Sequence, residues 1–342
     1  MSNKQFVINA FNNREVERVP VGFWFHFVEG EEFNQGLQRE EIIQKNIDGH
    51  RGFYEKFKPD FIKLMSDGFF QYPNDVLIKG GSTKELKQIK PLGKNHPWIE
   101  KQVQLVKSLT DIFGNDVASF YNIFSPATFL RIQLTNSNSK ITISDYFKED
   151  KVALKYALDV ISEDIAILAT RVIEEGKADG IYLSVQNIQD KDFTTKDYLD
   201  IIAPSEKNVL QAANKASENN ILHICGYEGA RNNLTIYKDY NAKVINWAVN
   251  IENVSLLEGK KIFGNRAVIG GFDNTAHGIL YRGSKEEIEN FTEQLLKNVG
   301  TTGVILGADC TVPSDIDLKH LAWVREKAIK FSQKERGYYE KN

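Results

Sequence analysis

Eight short apolar runs, separated by segments of helical periodicity, constrain the fold of this chain more than any other feature. They are Val19 to Phe25, Phe61 to Met65, Val117 to Ile123, Gly180 to Val185, Ile221 to Cys225, Val244 to Val249, Ala267 to Gly271 and Gly303 to Leu306. Each is apolar at both parities and bounded by Gly, Pro, Asp or Asn, which predicts a parallel strand covered on both faces. Helical patterns lie between them: Arg39 to Lys56, Lys151 to Glu175, Ser205 to Glu218 behind Pro204, Ser284 to Asn298 with Ser284 as cap, and Ser314 to Phe331 behind Pro313. Lys4 to Asn12 predicts one more helix, and segment 1–18 reads as an N-terminal lid. The polar stretch from Tyr72 to Pro97 reads as an elaborated loop.

Eight βα units in 342 residues predict a closed α/β barrel of the (β/α)8 TIM type, with 1–342 as a single domain. An open doubly wound sheet is the alternative, but no Gly-x-Gly-x-x-Gly follows any of the runs. Forty-three basic and 46 acidic residues leave a net charge of -3, so no broad positive field exists to gather nucleic acid. No signal-like apolar segment or membrane-length run is present, which predicts a cytoplasmic protein with no membrane partner.

Only two cysteines occur, too few for a disulfide framework. Both fall at strand ends, where a barrel of this type carries its active site. In Ile221-Leu222-His223-Ile224-Cys225-Gly226, His223 and Cys225 are two apart and so share a face of the strand. Cys310 follows the last run, 84 residues beyond Cys225, so the three would meet across the barrel mouth. One imidazole and two thiolates suit zinc, and three protein ligands leave a fourth position open. The competing reading is inert buried cysteine and a structural histidine. Its weakness is that both cysteines coincide with strand ends and one has a histidine of matching parity. Glu228, Asp309 and water are candidates for the fourth position.

The His223-Ile224-Cys225 and Cys310 pattern resembles the His-x-Cys…Cys zinc motif of corrinoid:thiol methyltransferases of the methylcobamide:coenzyme M type, within the uroporphyrinogen decarboxylase superfamily. Arg14-Glu15-Val16-Glu17-Arg18-Val19-Pro20-Val21 is similar to that superfamily's entry into its first strand. Phe124-Ser125-Pro126-Ala127-Thr128, Gly270-Gly271-Phe272-Asp273-Asn274 and Leu306-Gly307-Ala308-Asp309-Cys310-Thr311-Val312-Pro313 are similar to three further segments. The resemblance implies the same barrel and transfer of a methyl group from a methylated corrinoid protein to a small thiol activated by zinc. The corrinoid would come from that partner protein, because one barrel uses the whole length. A homodimer is compatible with the family.

A tetrapyrrole decarboxylase is the alternative within the superfamily, and Asp67 matches its aspartate position. Against it, the loop Gly22-Phe23-Trp24-Phe25-His26-Phe27-Val28-Glu29-Gly30-Glu31-Glu32 is aromatic and acidic and has no arginine to grip carboxylates. A non-catalytic zinc- or corrinoid-binding protein is the third reading. Asp67 and His26 are the candidate catalytic residues. Trp24, Tyr121, Gln186 and Asp273 are the candidate substrate-binding residues, with the aromatic loop as a surface for the flat corrinoid. Each also has a bland reading as core, turn or cap residue.

Overall fold

A computed structural model describes residues 3–339 apart from 138–140, 188–192, 227–228 and 230. Seven parallel strands form one sheet in chain order: β1 (Phe61–Leu64), β2 (Ala118–Phe124), β3 (Gly180–Val185), β4 (Ile221–Ile224), β5 (Val244–Trp247), β6 (Ala267–Phe272) and β7 (Val304–Ala308). The sheet curls and helices surround it, in the TIM-barrel class that the strand pattern predicts.

The expected first strand, Val19 to Phe25, forms no ladder; its one bridge is Val21 to Leu306. It still occupies the gap between β7 and β1. Gly22 N–H donates to Leu306 O (3.0 Å), Leu306 N–H to Pro20 O (2.9 Å) and Asp60 N–H to Val21 O (3.1 Å). Pro20 has no N–H to offer a ladder, and the Val21 N–H goes to the Asp60 carboxylate instead (2.7 Å). The same carboxylate is gripped by both guanidinium nitrogens of Arg18, at 2.6 Å each. Gly22 permits the close approach: a Cβ there would lie 2.3 Å from the Phe61 ring.

Alternation along the strands splits the core in two. Inward residues Phe61, Ala118, Phe120, Tyr182, Ile221, Val244, Ala267, Ile269 and Ile305 pack together with Trp24. Outward residues such as Ile62, Leu64, Tyr121, Leu183 and Val268 pack under the helices. Helix Asn3–Phe11 buries Phe6, Val7, Ala10 and Phe11 against the inward cluster. It therefore plugs the N-terminal end of the cylinder. Over its described residues, the segment expected to be a lid packs at the end opposite the mouth.

Local signals explain most of the outer layer. Ser284 and Glu287 form a capping box at the start of helix Lys285–Val299. The expected helix at Lys151 is the second half of Ile143–Glu174, broken at Asp150, whose φ of -157° is not helical. Asp150 Oδ1 accepts the Val152 and Ala153 N–H groups and so caps a new helix. Helices Pro97–Phe113 and Pro126–Asn136 were not expected; His96 and Ser125 cap them through their side chains. The last helix runs Leu318–Tyr339, starting later than Ser314. Among the described residues, no helix is long and apolar enough to cross a membrane.

Candidate metal centre

His223 lies inside β4, and Cys225 sits just past its end, held by Cys225 N–H donating to Val185 O (2.8 Å). Three strands further round, Cys310 follows β7. The three ligand atoms lie within 4.8 Å of one another. His223 Nε2 and Cys310 Sγ are 3.6 Å apart. A tetrahedral zinc with ordinary Zn–N and Zn–S bonds places such a pair about 3.6 Å apart. The donor set and this spacing fit zinc without rearrangement of that pair.

Asn246 prepares the imidazole. It stands directly beside His223 in the β4–β5 register, and its Oδ1 bonds His223 Nδ1. Its Nδ2 donates to Ile269 O (2.9 Å) and Ala308 O (3.3 Å), which identifies the other amide atom as the oxygen. His223 Nδ1 must then carry the proton, leaving the Nε2 lone pair aimed at the sulfurs. The cysteine side is primed as well. A hydrogen bond with Cys225 holds the Cys310 thiol well below its ordinary range; His223 and Lys63 pull the same way against burial. Asn232 steadies the loop after β4 by donating to Cys225 O (2.9 Å) while bound to Glu252.

Asp67 and His26 meet past the C-terminal end of β1, at the same end of the sheet as the three converging residues. Asp67 is fully buried and accepts Phe27 N–H (2.7 Å) and His26 Nδ1 (2.8 Å). His26 keeps about a third of its side chain exposed, between the edges of Phe33 and Phe70. A buried carboxylate orienting a half-exposed imidazole is a proton-transfer arrangement.

The substrate-binding expectations fare unevenly. Tyr121 has the wrong parity: it faces the outer layer, where its hydroxyl donates to Gln102 Oε1 (2.9 Å). Its neighbour Asn122 bonds Ser66 Oγ, beside Asp67. Trp24 is 2% exposed and lies within the cylinder against Phe61 and Tyr182. Phe23 and Phe25 are buried under the helices. The aromatic run is core, so Trp24 can line a floor but offers no open face to a corrinoid. Gln186 is buried past the end of β3, and its carbonyl accepts the Tyr198 hydroxyl (3.4 Å). Asp273 is a partly exposed turn residue, with Oδ1 accepting Thr275 N–H (2.8 Å).

Of the fourth-ligand candidates, Asp309 turns its Oδ2 to Asn250 N and Nδ2, both at 2.9 Å, and is outside the converging group. Burial pushes its carboxyl up to about 7. Glu228 lies outside the described residues. Sequence reasoning missed Asn246 and Lys63. Each was signalled by one polar residue in an otherwise apolar strand, Val-Ile-Asn-Trp and Phe-Ile-Lys-Leu.

A parallel α/β barrel with one imidazole and two thiols converging past its strand ends defines the class of protein. The chain belongs to the uroporphyrinogen decarboxylase (URO-D) family, whose pattern matches residues 74–331. Among solved structures it is similar to a methyltransferase from Methanosarcina mazei, at 16% identity and a TM-score of 0.69, over 97% of this chain and 99% of that one. It is also similar to a B12-independent methionine synthase from Shewanella sp. W3-18-1, solved with selenomethionine. There the identity is 12% and the TM-score 0.54, over 93% of this chain and 98% of the other. No curated protein matches the sequence.

Proposed function

We propose that this protein is a zinc-dependent methyltransferase that moves a methyl group from a methylated corrinoid protein to a small thiol. The observation that carries the reading is the convergence of His223, Cys225 and Cys310, with Nε2 and Sγ at the spacing of a tetrahedral zinc. Family membership and the fold shared with two methyl-transferring proteins support it.

His223, Cys225 and Cys310 would hold the ion, and Asn246 would keep the imidazole in the ligating tautomer. Zinc, when bound, would supply a position at which a thiol is deprotonated at neutral pH. His26, oriented by Asp67, is the group of this chain that takes the thiol proton. A methylated corrinoid, held by its own protein, would supply the methyl group and keep the bonding pair as the thiol sulfur takes the methyl carbon.

Metal analysis of protein purified without chelators tests the reading. We expect about one zinc per chain, lost in Cys310→Ala. Methylcobalamin and a simple thiol then serve as surrogate substrates, followed by the cobalt absorption change. Zinc retained by Cys310→Ala would refute the ligand set; metal-independent turnover of uroporphyrinogen would favour a decarboxylase instead.

A further inference from the structure

Lys63 is a buried cation with no anion of its own. It lies in β1 at 4% exposure, with the parity of the inward residues Phe61 and Met65. Its ammonium sits 4.3 Å from the centre of the Tyr182 ring and 5.3 Å from that of Trp24. Among the described residues, none forms a hydrogen bond or ion pair with the ammonium. The Tyr182 hydroxyl and Trp24 Nε1 are likewise buried without partners. This patch adjoins the metal centre, because the Tyr182 and His223 rings are 5.8 Å apart. Burial pulls the Lys63 pKa down to about 8, against Cys310, Cys225 and Asp67, which hold it up.

A buried ammonium is costly unless something compensates it. Two aromatic faces supply part of that compensation; the rest must come from the sulfurs. Charge counting shows when. A divalent ion, two thiolates and a neutral imidazole sum to zero, so the metal centre itself gives Lys63 no counter-charge, and the nearby Asp67 carboxylate is already engaged by His26 and the Phe27 N–H. A third thiolate in the open position makes the centre anionic, and Lys63 then cancels it.

Resting on the zinc reading above, we propose that Lys63 is the counter-charge that makes the fourth metal position select an anionic thiolate over a neutral ligand. It acts through the field inside the cylinder and touches no reacting atom. The thiol would lose its proton to His26, and its sulfur lone pair would bind the ion. Lys63 stabilises that product and leaves the binding of a neutral ligand unaffected.

Cobalt(II)-substituted wild type, Lys63→Met and Lys63→Arg are titrated with 2-mercaptoethanol, whose neutral tail makes no demand on a cation. Binding is read from the sulfur-to-cobalt charge-transfer absorption, and imidazole serves as the neutral ligand. We expect all three proteins to take up the metal. The thiol dissociation constant should rise at least about tenfold in Lys63→Met, and imidazole binding should be unchanged. Lys63→Arg should stay within about threefold of wild type, since it keeps the charge. Equal thiol affinity in Lys63→Met and wild type overturns the proposal, as does a parallel loss of thiol and imidazole, which indicates a packing role. Met is apolar and close in length, so the fold should tolerate it; Lys63→Gln repeats the test if Lys63→Met is insoluble. Wild type that binds no metal would sink the zinc reading itself, a result distinct from either of these.

Discussion

Asn246→Ala separates the chemistry of the metal centre from its architecture. The substitution deletes the acceptor for His223 Nδ1–H and the donors to Ile269 O and Ala308 O, all of them buried. Removing such an outer partner of a ligating histidine typically weakens metal binding about 10- to 100-fold. That range corresponds to about 1.4–2.7 kcal/mol. The stability of the metal-free protein should also fall, by about 2–5 kcal/mol, because three buried groups lose partners at about 1–3 kcal/mol each and the small cavity admits only partial relief. Asn246→Asp distinguishes the two effects. It keeps an acceptor for the imidazole but presents carboxylate oxygen to two carbonyls, so zinc affinity should survive better than stability. Zinc affinity is read by competition with a chromophoric chelator, and stability by urea denaturation of the metal-free forms. Folded Asn246→Ala with wild-type zinc affinity would refute the argument that this amide sets the tautomer.

Glu206 provides a test by pH. Burial pushes its carboxyl up to about 7, against hydrogen bonds from Tyr240, Tyr198 and Ser125 that hold it down. The folded pKa lies above the unfolded one, so the native state binds the extra proton between about pH 4 and 7, and stability falls as pH rises through that window. Glu206→Gln should remove about 3 kcal/mol of that decline, while the parallel contribution of Asp309 remains in both proteins and cancels. Identical stability–pH slopes would contradict the assignment. Asp60→Ala removes the acceptor of Arg18 and of Val21 N–H where the cylinder closes, and should cost about 3–5 kcal/mol in urea denaturation. A loss below about 1 kcal/mol would mean that closure rests elsewhere. His26→Gln should leave zinc content unchanged and slow thiol methylation by about two orders of magnitude at neutral pH. Unimpaired turnover would remove His26 from the proton path.

The repeating pattern of the barrel was legible because strands covered on both faces are written as uninterrupted apolar runs, and seven of the eight runs lie in the sheet. The cap residue Ser284 announced where its helix begins. The converging imidazole and thiols were legible for a related reason: a histidine and a cysteine two apart at a strand end share a face in any register. Tyr121 shows the limit. Its strand is apolar at both parities, so nothing local states which parity faces inward.

The amino-acid order alone therefore determined the order of the seven strands, the barrel class and the identity of the three converging residues. All of these depend on periodicity and residue chemistry within a few positions. Only the tertiary structure decided that Val19 to Phe25 closes the sheet without a ladder, that the N-terminal helix plugs the end away from the mouth, and that the aromatic run is core. It alone set Asn246 behind His223 and placed the Lys63 ammonium against the Tyr182 and Trp24 rings. Those facts arise from contacts between strands distant in the chain, where curvature and register of the whole sheet choose the neighbours.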